Sequence, residues 1–235
     1  MKRALLLGLL FCVAATLVYA VPSSPTEVNV LGSSSRQLPQ VSNGTISAQG
    51  GNITEVHINA LSITKSWQGY FGNITGNIRL DDANNDTFYA WGNTTVSGEV
   101  YASRNDTISW TTINCTNATE RTTEETYLGH VVADGDSITN TFNSTSHPSF
   151  FVGLVNVTED SCFSTNAFVN GAAQSAEFYQ MLLSDNESNV VYTTIIETAS
   201  TGFNGQTVDF QLLVGENEHS GSEGPTTYYF FTELS

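Results

Sequence analysis

Residues 177–197 read EFYQMLLSDNESNVVYTTIIE: two runs of β-branched, aromatic and long apolar side chains split by Asp185-Asn186-Glu187-Ser188. Such runs suit a pleated, half-buried surface, and a short insert of turn-prone polar residues between them predicts a hairpin loop. The pattern continues to the C-terminus. Thr207–Val214 (TVDFQLLV) and Thr226–Leu234 (TTYYFFTEL) predict two more strands, with loops at Gly202–Gly205 and Gly215–Gly224. Four strands in succession with polar links predict an antiparallel meander.

Moving outward from that stretch, Ser149–Val157 (SFFVGLVNV) is short and apolar enough for a strand buried on both faces. Ile108 and Trp110 share one face, and Phe88 and Ala90 alternate with Tyr89 and Trp91. Val56, Ile58 and Ala60 alternate with His57 and Asn59, the period of two expected of a strand. Thr122–His130 and Asn170–Ala176 are the two places where a short helix fits. Many short strands without long helical periodicity predict an all-β fold, an antiparallel β-sandwich or jelly-roll-like single domain over residues 41–235. Ahead of it, residues 21–40 are rich in Ser and Pro and read as an extended arm, with one alternating piece at Glu27-Val28-Asn29-Val30-Leu31.

Residues 1–20 form the parts of a secretory signal. Lys2 and Arg3 precede an uncharged apolar run, Ala4 to Val18, and Val18-Tyr19-Ala20 resembles a cleavage site. The run is shorter than the roughly 20 residues that span a bilayer, and no second such run follows, so no membrane insertion is expected after signal removal. The expected address is extracellular, at the cell surface. In such a compartment the remaining cysteines, Cys115 and Cys162, are expected to pair.

Charge narrows the partners. Losing Lys2 and Arg3 with the signal leaves five basic residues against 23 acidic ones, a net charge of −18. All five basic residues (Arg36, Lys65, Arg79, Arg104 and Arg121) precede residue 122. Such a surface repels nucleic-acid phosphates and anionic lipid, so neither is expected as a partner.

Eleven Asn-X-Ser/Thr sites are present, at Asn43, Asn52, Asn73, Asn85, Asn93, Asn105, Asn114, Asn117, Asn143, Asn156 and Asn186. Composition alone would place about five asparagines in such sites. The excess, in a chain with an export signal, predicts N-glycosylation of exposed segments. Asn114 is the awkward member, because Cys115 lies inside its acceptor triplet.

Catalytic chemistry finds little support. Asp81-Asp82-Ala83-Asn84-Asn85-Asp86 has the opening spacing of a calcium loop, but Thr87 and Asn93 stand where the turn glycine and bidentate Glu belong. A polar hairpin turn is the better expectation there, as it is for Ala133-Asp134-Gly135-Asp136. His57, His130, His147 and His219 lack metal-ligand spacing, and no Gly-X-Ser-X-Gly elbow occurs. Glu55, Glu99 and Glu177 are acids that a sandwich face could pair for glycoside hydrolysis. Trp67, Trp91 and Trp110 are candidates for a carbohydrate-stacking platform, although tryptophans in sandwiches commonly pack the core. No catalytic residue, metal ligand or cofactor is assigned.

The run Ser66-Trp67-Gln68-Gly69-Tyr70-Phe71-Gly72-Asn73-Ile74-Thr75-Gly76-Asn77, with Leu80-Asp81-Asp82-Ala83-Asn84, Gly98-Glu99-Val100-Tyr101-Ala102-Ser103 and Tyr228-Tyr229-Phe230-Phe231-Thr232-Glu233-Leu234, resembles a family of uncharacterised secreted archaeal surface glycoproteins. The resemblance spans most of the mature chain, implies an archaeal cell-surface address and brings no catalytic residues. In plan alone, a signal followed by one β-rich domain is similar to TasA-like fibre subunits and archaeal bundling pilins, a likeness of architecture. The expected function is a non-enzymatic structural subunit of a surface filament, pilus or layer, self-associating as a homopolymer or joining other surface proteins. Val28 and Val30 would then be donated to a neighbour's sheet edge. The alternatives are a carbohydrate-binding or adhesive module and a secreted hydrolase.

Overall fold

The computed structural model describes residues 21–36, 45–91, 96–217 and 224–234. The predicted strands around the Asp185–Ser188 loop form as β9 (Tyr179–Ser184) and β10 (Val190–Ile195), paired antiparallel with Val191 opposite Leu183. Before them come β1 (Trp67–Gly72), β2 (Ile78–Asp81), β3 (Thr87–Trp91), β4 (Gly98–Ser103), β5 (Asn114–Cys115), β6 (Phe150–Val152), β7 (Val155–Val157) and β8 (Ser164–Asn166). After them come β11 (Ser200–Thr201), β12 (Thr207–Val208), β13 (Phe210–Gly215) and β14 (Tyr229–Leu234). The helices are α1 (Ala118–Tyr127) and α2 (Ile138–Thr141). The chain is all-β and its paired strands are antiparallel, as the sequence predicts.

The meander does not form. In the main sheet the order is β14-β4-β10-β9-β5, with β8 also on β9, so β4 separates the last strand from its expected neighbours. β13 leaves this sheet altogether and pairs with β1, Trp67 opposite Gly215. Local composition specifies strands; which edges meet is decided by packing. Alternation along the central strands fills both faces. Val100, Ala102, Leu182 and Tyr192 pack on one side with Leu212 and Val214 of β13 and with Leu128, Ile138 and Phe142 from the helical segment. Tyr101, Met181, Leu183, Val191 and Phe231 pack on the other with Ile113, Phe150, Val152 and Val157. The result is a sandwich-like core with the main sheet in the middle.

Ser149–Val157 departs from expectation: it is not one buried strand but the tight pair β6–β7, with Phe150 opposite Val157. Gly153 takes a φ of 57°, which lets the chain reverse, and leaves Phe151 and Leu154 exposed. The expected helix at Asn170–Ala176 is replaced by a turn in which Asn170 also has positive φ and Val169 bridges Ala172. α1 begins four residues earlier than expected. Asn117 caps it by accepting from the Glu120 N–H, and the Glu120 carboxylate accepts in return from the Asn117 N–H.

β5 and β8 both lie along the outer edge of β9, and Cys115 and Cys162 join there as a disulfide, Cα atoms 4.8 Å apart. His147, buried beside it, holds the second cysteine. Its Nδ1 lies 2.8 Å from the Pro148 carbonyl, while its Nε2 accepts from the N–H groups of Ser161 and Cys162. That pattern requires the proton on Nδ1.

Candidate functional site

β14 ends the main sheet. Its inner side pairs with β4 along six residues, Tyr229 opposite Ser103 through Leu234 opposite Gly98. On its outer side, among the described residues, it pairs with Ser23, whose N–H and C=O exchange hydrogen bonds with Thr232 at 3.1 and 2.9 Å. Residues in a strand alternate in the side to which their backbone groups point. The backbone groups of Phe230 and Leu234 therefore face the same outer edge as those of Thr232.

Beyond Ser23 the described part of the arm, to Arg36, forms no helix or strand. Val28 and Val30, the expected donor residues, are 60% and 83% exposed and lie in no strand of their own chain. A second stretch behaves likewise. Residues 45–63 form no helix or strand, and Ile53, Val56, Ile58, Leu61 and Ile63 are all exposed. The strand expected at Val56–Ala60 is thus absent: the alternation is present, but it pairs with no strand edge among the described residues. The stretch is fixed at its C-terminal root. Thr64 Oγ1 and Ser66 Oγ both donate to the Asp136 carboxylate, at 2.6 and 3.1 Å, and Trp67 Nε1 donates to the Asp136 carbonyl. The Ala133–Asp136 acidic turn is therefore a clamp.

The three tryptophans are not brought together. Trp67 packs on Phe142 and His130, and Trp110 on Tyr101 and Phe231. Trp91 stands apart on the β2–β3 hairpin, edge-on to Tyr89 at 5.0 Å. In that hairpin Ile78 faces Trp91 and Leu80 faces Tyr89, and all four are exposed on one face. The turn between the strands is organised by Asp82, whose carboxylate accepts from the N–H groups of Asn84 and Asp86 and is held below the usual carboxylate range by those bonds.

The acids considered for hydrolysis also fall apart. Glu55 is exposed in the extended stretch, Glu177 is half-buried near the start of β9, and Glu99 is buried in β4. The partner of Glu99 is Glu233, directly opposite it in β14. Sequence reasoning missed this pair because the two residues are 134 positions apart and only strand register unites them. Neither of two open, polar surface hollows, about 280 and 410 Å³, is lined by either glutamate.

His130 and His147 are buried, each bonded to backbone, His57 is exposed in the extended stretch, and His219 lies outside the described residues. Of the sugar-acceptor asparagines, Asn52, Asn73, Asn85, Asn114, Asn117, Asn143, Asn156 and Asn186 are exposed; Asn43 and Asn93 lie outside the described residues. Asn105 is the exception. It is half-buried, and its amide donates to Asn189 Oδ1 while its oxygen accepts from the Thr107 N–H. The expected signal at residues 1–20 also lies outside the described residues. No family model, curated protein or solved structure matches the chain.

Proposed function

We propose that the protein is a non-enzymatic extracellular structural glycoprotein, a subunit of a surface filament or layer whose copies join by exchange of extended N-terminal segments. The observation that carries this is the mismatch between supply and demand for strand pairing. Among the described residues, two extended, apolar-bearing stretches have no partner strand, while the main sheet ends in a six-residue strand whose outer edge pairs with one residue. An exposed strand edge is a template for another chain, and a contact of this head-to-tail kind propagates into fibres when its symmetry does not close. The −18 charge and a coat of sugars would keep such subunits apart until the specific edge is engaged.

The test is deletion of residues 21–35 from the secreted protein. The expected product is a folded, soluble monomer where the full-length protein gives polymers by negative-stain electron microscopy. Polymers that persist after the deletion would exclude donation by this arm.

The Tyr89–Trp91 pair on an open hairpin face favours a second reading, a carbohydrate-binding or adhesive surface. Binding on a glycan array that is lost in Trp91→Ala supports it; unchanged binding removes it.

A further inference from the structure

We propose that Glu99 and Glu233 share one proton through the Tyr101 hydroxyl, and that this proton fastens edge strand β14, with the arm contact at Thr232, to the main sheet. Its consequence for assembly rests on the strand-exchange reading above; its chemistry rests on the cluster alone.

The two glutamates are direct register partners across β4 and β14 and are 7% and 6% exposed, with Tyr101 fully buried between them. The Tyr101 hydroxyl lies 3.4 Å from a Glu99 oxygen and 3.3 Å from a Glu233 oxygen. A phenol has one proton to give. Both Glu233 oxygens also accept from the Gly153 N–H, at 2.9 and 3.1 Å, so Glu233 is the acceptor and takes the phenol proton as a carboxylate. The contact on the Glu99 side is then satisfied when Glu99 carries the hydrogen and donates it to the phenol oxygen. Glu99 donates to Tyr101 and Tyr101 to Glu233, which also accepts from the Gly153 N–H of the β6–β7 turn, so the bonds tie β4, β14 and that hairpin together.

Among the described residues, the elements packed on the cluster offer no cation to neutralise a second negative charge, and residues 105–113, whose Trp110 packs on Tyr101 and Phe231, hold none either. The strands and hairpin around the cluster, β4, β10, β14 and Phe150–Val157, contain no Lys, Arg or His. Burial first, and the Glu233 charge second, push the Glu99 carboxyl up to about 8, and burial raises Glu233 too. Burial and the two acids push the Tyr101 phenol far above its ordinary range, so it stays a neutral donor.

The sign follows from linkage. The folded state holds a proton on Glu99 that the unfolded chain releases near the ordinary carboxyl value of 4.5. Stability therefore falls as pH rises from about 4.5 to about 8 and levels off above that. Once the proton is gone, like charges sit directly opposite across β4 and β14, and the strand that bears the Ser23 bridge loosens.

The experiment uses the full-length mature glycoprotein. Carboxyl ¹³C NMR should give Glu99 a titration midpoint above pH 7, and a midpoint in the ordinary range of about 4–5 would overturn the proposal. Urea midpoints from pH 5 to 9 should fall more steeply for wild type than for Glu99→Gln, which keeps shape and a donor but cannot ionise. Parallel curves would also overturn it. Glu197, also raised by burial, is common to both proteins, so the difference isolates Glu99. If Glu99→Gln does not fold, the wild-type NMR titration decides alone. The two readings fail separately. Absence of polymers at every pH with a high Glu99 midpoint removes the assembly role and leaves the shared proton. Arm-dependent polymers with an ordinary Glu99 midpoint do the reverse.

Discussion

Residues 53–63 (ITEVHINALSI) and strand β10 (VVYTTI) are both rich in β-branched and apolar side chains. In β10, Val191 and Tyr192 are fully buried, with β4 on one side and β9 on the other. In the extended stretch Ile58 is 82% exposed and pairs with nothing among the described residues. The difference lies outside either segment. Strand propensity prepares a chain for pairing, but a strand is stable only where an edge and a buried face await it. Strand β10 finds both between β4 and β9; residues 53–63 find neither among the described residues.

That contrast can be broken most directly in the core. Leu182→Ala, in the middle of the sheet, should cost about 2–5 kcal/mol in urea unfolding of the monomer. Ile58→Ala should stay within about 0.5 kcal/mol. Equal losses would mean that the N-terminal stretch is packed after all. Next in size is the staple at the edge of β9. Replacing Cys115 and Cys162 by Ser should lower stability by about 2–4 kcal/mol, read as the difference in urea midpoint between the variant and the oxidised parent. His147→Ala removes the acceptor for the Ser161 N–H and the buried Cys162 N–H and should cost about 1–3 kcal/mol. No loss by thermal unfolding would show that water replaces the ring. Smallest of all, Trp91→Ala should move the melting of the monomer by no more than about 0.5 kcal/mol. A larger shift would show the β2–β3 hairpin to be part of the body.

Much of this architecture was legible before any coordinates. The hairpin around Asp185–Ser188 and the last strand follow from composition and turn chemistry, and the cysteine pair was expected from there being two cysteines beyond residue 20. What was hidden is non-local. β4 reads GEVYAS, with Glu99 and Ser103 in it, and nothing in that string announces the centre of a sheet. Its two neighbours come from about 90 and 130 residues downstream. The Glu99–Glu233 pair was invisible for the same reason. The error at Ser149–Val157 was local and avoidable, since Gly153 marks a reversal inside an apolar run. Asn117 could have placed the start of α1, because an asparagine three residues ahead of a glutamate is a capping signal.

The Asp136 clamp has a mechanical consequence. Any load carried by residues 45–63 enters the body at Thr64 and Ser66, passes to the loop at Asp136, and reaches β1 beside its six-residue partner β13. A pull along the axis of β1 therefore shears that ladder, so its hydrogen bonds share the force at once and do not open singly from one end. A tether rooted this way yields late and all together.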